Sequence, residues 1–399
     1  MVAHLTRLFG PAHLDLAEEA VQSAMLRALA TWPYQGIPEN PEAWLFRVAQ
    51  NSAIDAIRRI QWITQRTEAI ASELARSRDT PGDPDFEEQL RDDELRMIFM
   101  CSHPDLSREA SVALSLKIAG GLSAREIARA FLSDVTAIEQ RIVRAKRHIR
   151  DRGLTLSMPS PDELPQRLDR AIEVIYFIFN EGYTAHEGEH LIRQDLCMEA
   201  LRLGRLIAAS SAGNPTVDAL VAVMALQAAR WSARVDEAGD LILLEDQDRS
   251  RWDANLVSLG FHHFERSMRG DIVSGYHVQA AIAATHARAN SLDAIDWPVI
   301  LRLYDQLYDL HPSPVVALNR AVAVAKVRGA AEALAAVEPL SNDPKLREYY
   351  LLLAVRGHLL LELGRNADAA KCFRSALDLR CSEPERRFLR RKLAQAETQ

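Results

Sequence analysis

The sequence predicts an all-α protein, and three observations carry that prediction. Ala, Leu, Arg and Glu dominate a chain that is 48% hydrophobic but only 6% aromatic, a composition suited to packed helices. No Asn-Gly or Asp-Gly dipeptide marks a hairpin, and no segment sustains the period-two alternation of a half-buried strand. Apolar residues instead recur at spacings of three and four along most of the 399 residues. A chain of this length holds about two or three domains and can bury sizeable cores.

Residues 14–30 have helical periodicity through Leu16, Ala20, Ala24 and Leu29, with Glu18, Glu19 and Gln22 outward. Trp32 to Pro41 holds three prolines and a glycine and reads as a loop, and Pro41 suits the first position of the next helix. That helix, Glu42 to about Gln61, buries Leu45, Val48, Ala49, Ile54 and Ile57 and presents Arg47, Asn51, Asp55, Arg58 and Arg59. From Arg78 to Glu94 the chain turns acidic and gains Pro and Gly, the composition of a linker. Helices over 94–102 and 108–119 follow, broken at His103-Pro104.

Ser123 to Arg152 is expected to be a helix-turn-helix. Ser123 with Glu126, and Thr136 with Glu139, have the spacing of two capping boxes. Leu132 to Val135 between them suits a tight turn. Ile138, Ile142, Ala145 and Ile149 form one apolar stripe, while Arg141, Arg144, Lys146, Arg147, His148, Arg150 and Arg152 crowd the other face or the helix end. A basic helix of this kind can lie in a DNA major groove against phosphates; the bland alternative is a solvated helix complementing its own dipole.

The net charge is −7, and residues 1–152 carry 20 basic against 22 acidic side chains. Any DNA contact must therefore come from a local concentration of charge. Four cysteines without C-x-x-C spacing read as reduced, mostly buried thiols. No signal-type N-terminus and no apolar run near the roughly 18 residues of a membrane span is present, so a cytoplasmic protein with no membrane partner is expected.

A second boundary at 154–165 combines three prolines with polar residues. Beyond it, helices are expected over Arg167–Asn180, Leu191–Ser210, Val217–Arg234 and Tyr276–Arg288, interrupted by Gly239 to Trp252, where a short extended segment is allowed. From about Val299 onward, Gly364, Ala369, Phe373 and Ala376 match the packing positions of a tetratricopeptide helical hairpin, and Gly329 lies 35 residues before Gly364. The repeat is degenerate.

The first 152 residues resemble the extracytoplasmic-function sigma factors, bacterial subunits that direct RNA polymerase to promoters. Ala17-Glu18-Glu19-Ala20-Val21-Gln22 stands where that family has its polymerase-clamp helix. Pro41, Trp44, Leu45, Ala49, Asn51, Asp55, Arg58 and Arg59 follow its proximal-promoter helix, and Glu126-Ile127-Ala128, Thr136, Arg141 and Arg144-Ala145-Lys146 its distal helix-turn-helix. The rest resembles a subgroup with a helical C-terminal extension, through Phe179 to Tyr183 and Leu244 to Trp252. The family's preceding helix is missing or shortened here, and Leu132 stands where its turn often has glycine.

The resemblance implies a sigma region 2 over 1–62, an acidic linker over 63–92, a sigma region 4 over 93–152, a linker over 153–165, a helical extension over 166–298 and tetratricopeptide-like hairpins over 299–399. It implies core RNA polymerase and promoter DNA, duplex and melted, as partners, with no cofactor and no enzymatic activity. Glu18, Glu19 and Gln22 would face the clamp; without the family match they would read as ordinary solvation. Arg141, Arg144 and Arg147 would contact phosphates and guanines, with Lys146 on the same basic face, and Thr136, Glu139 and Gln140 base edges. Arg47, Asn51, Arg58 and Arg59 would hold the opened strand. Trp32, Tyr34 and Trp44 flank a loop that could stack bases, although Trp44 sits at an apolar position and reads rather as core. The extension would regulate the factor in cis, with a protein or small-molecule ligand of its own.

Two rival readings remain at this level. His186, Glu187 and His190 satisfy H-E-x-x-H, the zinc-protease helix, with Glu199, His262 or His263 as a nominal third ligand. Gly188 weakens such a helix, and the motif abuts a loop-like Asn180-Glu181-Gly182. Alternatively, the C-terminal half is a tetratricopeptide scaffold for a protein partner and the DNA module is degenerate.

Overall fold

The structure, a computed structural model, describes residues 1–61, 84–118, 121–130, 133–183 and 194–398. Among these it is all-α, with eighteen α-helices and one isolated antiparallel bridge, Val235 with Leu241. The chain divides into two compact units, Met1–Val174 and Ile175–Gln399. The division falls inside a helix, ten residues past the proline-rich stretch that reads as the second linker.

In the first unit, α1 (Val2–Phe9), α2 (Leu14–Gln35) and α3 (Pro41–Gln61) share one core of Leu5, Phe9, Ala17, Val21, Phe46 and Ile57 with small alanines between them. α2 runs five residues past the expected end, carrying Pro33 in its last turn, and stops at Gly36, whose φ of 83° breaks the helix. A proline there removes one hydrogen bond at a helix end that faces water, a smaller loss than in mid-helix. Leu29, expected in the core, is 73% exposed; Ala28 takes the buried place. In α3, Ala43, Phe46, Ala49, Ala53 and Ile57 are buried, while Leu45, Val48 and Ile54 flank the core half-buried.

α4 (Pro84–Cys101) begins within the acidic stretch. Met97 to Cys101 are all at most 1% exposed, and a helix end apolar on every side belongs at the centre of its unit. Asp93, one turn earlier, is fully buried and accepts hydrogen bonds from His4 Nδ1 and Arg7 Nε of α1, each at 2.8 Å. α5 (Arg108–Ile118), α6 (Ala124–Ala130) and α7 (Val135–Arg152) follow, with α7 packed on α5 and α6. α8 (Leu164–Tyr183) contributes its first turns to this unit: Arg170 Nη1 donates to the carbonyls of Leu106 at 2.6 Å and His103 at 3.3 Å.

In the second unit, α9 (Gln194–Ala209), α10 (Pro215–Ala228), α11 (Ala254–Ser267) and α12 (Gly275–Arg288) form one cluster. Val217 to Leu226 are buried without a break, so α10 is its axis. Between α10 and α11 the chain makes three short 3-10 turns and the bridge noted above. α13 (Trp297–Leu310) to α18 (Glu383–Thr398) then pack each on the next in chain order, through α14 (Pro314–Arg328), α15 (Ala330–Val337), α16 (Tyr350–Glu362) and α17 (Asn366–Leu377).

Candidate nucleic-acid interface

α7 is fixed at both ends. Asp134, not Thr136, is its N-cap, accepting from the backbone N–H of Thr136 at 2.8 Å and of Ala137 at 3.3 Å. A carboxylate two residues earlier caps the first turn instead, and the Thr136 N–H is one of the donors it satisfies. The first box is as the spacing predicts: Glu126 accepts from the Ser123 N–H and Ser123 Oγ from the Glu126 N–H. Gly153, left-handed at φ 62°, ends α7, and the Leu154 N–H reaches back to the Ile149 carbonyl. Ile138, Ile142, Ala145 and Ile149 are buried as one stripe.

With that stripe anchored, Thr136, Glu139, Gln140, Arg144 and Arg147 are exposed, and Arg141 is half-buried. Lys146 departs from the basic face. Its ammonium lies 2.7 Å from Asp15 Oδ1 and 2.5 Å from Glu18 Oε2, and only 13% of the side chain is exposed. Burial alone would lower its pKa, but the two carboxylates outweigh that and raise it. A residue read as touching DNA and one read as touching polymerase are thus each other's partner.

On α3, Asn40 caps the start, accepting from the Ala43 N–H at 2.9 Å, and Arg47 and Asn51 are exposed on one side of the helix. Arg58 and Arg59 belong to α3, but their side chains lie outside the described set. Trp44 is half-buried and meets Trp32 edge to face at 5.5 Å, so these rings hold each other, whereas Tyr34 is 89% exposed.

α2 adds Met25 and Leu26, which sequence reading missed, and Leu29, which it placed in the core. Glu18, Gln22, Met25 and Leu29 recur at i, i+4, i+7 and i+11 along one face, with Glu19 and Leu26 beside them. Met25 is 50%, Leu26 67% and Leu29 73% exposed. The signal was present as apolar residues on both sides of one helix; alanines at 17, 20, 24 and 28 fill the core side, leaving the larger side chains outside.

The H-E-x-x-H residues His186, Glu187 and His190, and the turn residue Leu132, lie outside the described residues. Of the nominal third ligands, Glu199 is held by Arg202 at 2.8 Å and the His263 ring by Asp218 at 2.6 Å, while His262 is exposed. No helix among the described residues is long and apolar enough to cross a membrane.

Residues 1–63 match Sigma-70 region 2, and residues 167–268 match a family of unknown function, DUF6596. Over 382 residues the chain is 42% identical to a protein of Rhizobium meliloti (strain 1021) described as uncharacterized protein R00370, which covers 96% of this chain and 90% of that one. No solved structure matches.

Proposed function

We propose a promoter-directing role for this chain, which belongs to one family with the Rhizobium meliloti protein R00370 and carries a sigma-70 region 2 at its start. In this reading it is a transcription initiation factor of the extracytoplasmic-function type. α2 docks on core RNA polymerase, α3 holds the opened strand through Arg47, Asn51, Arg58 and Arg59, and α7 reads duplex DNA through its exposed polar and basic face. It performs no chemistry of its own.

The observation that carries this is the coincidence of the region 2 match with the exposed face of α2. An apolar stripe of Met25, Leu26 and Leu29 beside Glu19 and Gln22 has the character of an interface core with a polar rim. The basic face of α7 suits phosphate and base contacts, and its affinity would fall steeply with salt. The helical extension is the proposed regulator in cis, its hairpins read as a tetratricopeptide-like scaffold.

Holoenzyme reconstitution tests the reading. Core polymerase with the full chain should start transcription at discrete promoters, recovered by sequencing transcript ends. Failure to bind core polymerase, or transcription no different from core alone, overturns it. The regulatory part is tested by a chain ending after Tyr183, where α8 is complete, and an unchanged promoter output refutes it. A cut at the proline-rich stretch would instead remove Arg170 and its bonds to the turn after α4.

A further inference from the structure

The segment between α10 and α11 places two guanidiniums on one indole. Arg249 Cζ lies 4.9 Å and Arg230 Cζ 5.5 Å from the centroid of the Trp252 ring. Arg249 Nη1 donates to the carbonyls of His286 at 2.6 Å and Ala289 at 2.8 Å, and Arg230 Nε to Gln247 Oε1 at 3.2 Å. All these partners are neutral. Among the described residues neither arginine forms an ion pair with a carboxylate.

Four acids of the same stretch are committed elsewhere, and Asp246 is exposed to solvent. Glu245 takes Lys326 at 2.7 Å, Asp240 takes Arg387 and Arg391, Asp248 caps its own turn at Ser250, and Asp253 caps α11. A third cation, Arg234, stacks 4.1 Å from the Tyr183 ring and donates to the Tyr183 carbonyl. Burial of Arg230, with Arg234 close by, pulls its pKa down; Arg249 is lowered by burial and by the charge of Arg230. Burying a guanidinium without a counter-ion costs several kcal/mol in general.

Among the described residues, Arg249 Nη2 and Trp252 Nε1 are buried donors with no hydrogen-bond partner, and His286 Nδ1 is buried without one as well. Burial, reinforced by Arg230 and Arg249, drops the His286 pKa to about 4, so its ring is neutral at physiological pH and one nitrogen is a donor. Tyr304, beside Arg230, is pushed up to about 12 by burial and keeps its hydroxyl proton. Two unpartnered donors beside two guanidiniums describe half of a recognition site.

We infer that Arg230, Arg249 and Trp252 form a binding site for a small organic anion, whose phosphate or carboxylate oxygens accept from the two guanidiniums and the indole N–H. Planar guanidiniums suit bidentate capture of either group. The flanking Tyr183, Tyr304 and Trp252 rings suit a ligand with a flat or apolar body behind the charged head. The ligand supplies a negative charge that the described residues do not, and its binding would tie α10, the turn before α11 and the end of α12 together. This inference stands independently of the promoter reading.

The test uses the full-length chain with inorganic phosphate, pyrophosphate and citrate, each against sodium chloride at equal ionic strength. At least one probe should raise the unfolding temperature saturably, and hydrogen exchange should slow in segments around 230–252 and 286–289 only. Phosphate or pyrophosphate as the active probe marks a phosphate ligand, citrate a carboxylate one. Arg249→Lys and Arg230→Lys should weaken the response about tenfold by losing the bidentate geometry. Trp252→Phe, which leaves both charges in place, should weaken it less. No saturable effect beyond chloride from any probe, protection that appears elsewhere, or lysine variants that respond like the wild type would overturn the site.

Discussion

The Lys146 ammonium of α7 and the Glu18 carboxylate of α2 lie 2.5 Å apart, with Asp15 at 2.7 Å on the other side. Both ends of this contact carry residues proposed to bind something else, so in the free chain each occupies the other. The raised Lys146 pKa fixes the pH window. Its stabilisation is fully present below the ordinary lysine value of about 10.4 and is lost as pH rises through the folded value above it. A double-mutant cycle with Lys146→Ala and Glu18→Gln should give a coupling of about 1 kcal/mol at neutral pH, shrinking as the lysine titrates. Replacing Asp15 and Glu18 together by their amides should also release Lys146 for DNA. Binding of the free chain to duplex DNA should then tighten, its salt dependence steepening by about one counter-ion; an unchanged slope would mean Lys146 does not reach phosphate.

The stripe of Met25, Leu26 and Leu29 supplies a second prediction. Leu26 is two-thirds exposed in the chain itself, so Leu26→Glu should change folding stability by no more than about 0.5 kcal/mol. The same change at the centre of a docking face should cost about 2 kcal/mol or more of affinity for core polymerase. Thermal unfolding and a competition assay for core polymerase separate the two, and equal losses in both would place the stripe in the fold instead.

Asp93 joins α1 to the central helix α4. Burial pushes its carboxyl pKa up, but the hydrogen bonds and charges of His4 and Arg7 outweigh that and hold it below the ordinary aspartate range. Its stabilisation is therefore present above about pH 3.9 and lost as pH falls through the lower folded value. Asp93→Asn leaves His4 and Arg7 facing a neutral group and should cost about 3 kcal/mol at pH 7. The difference from wild type should close as pH falls through the lowered folded value of Asp93. A gap that persists there would trace the loss to packing rather than charge.

Period and capping made most of the helices legible, because burying one stripe per helix is a local rule. The stripe of Ile138, Ile142, Ala145 and Ile149 is read directly from its spacing. What spacing hides is which of two apolar faces a helix buries: in α2 alanines take the core and Leu29 faces out, since close approach to α3 favours the smaller side chains. Pairing across long separations is equally hidden. Lys146 with Glu18, and Asp93 with His4, join residues about ninety or more positions apart, and nothing local marks them. The acidic stretch misled for a related reason, as α4 starts within it and is held by its buried second half.

Gly357 tests how the last helical hairpins are held. It sits in α16, and a Cβ built there would lie 2.8 Å from Cε1 and 2.9 Å from Cζ of Phe373 in α17. Phe373 is 1% exposed and flanked by buried Ala369, Ala370 and Ala376, so its ring has little room to retreat. Two effects oppose each other in Gly357→Ala. Helix propensity favours alanine by about 1 kcal/mol, while overpacking a filled site costs about 1–3 kcal/mol. Because the obstacle is a fixed ring rather than the tip of a flexible chain, overpacking should win and the variant should be destabilised by about 1 kcal/mol. Gly364→Ala is the contrast: nothing lies within 4 Å of its Cβ, but its φ of 72° imposes backbone strain. Pairing Gly357→Ala with Phe373→Leu should recover part of the loss, and Gly364→Ala with Phe373→Leu none. Recovery in neither pair would show that the two helices are not held by this contact.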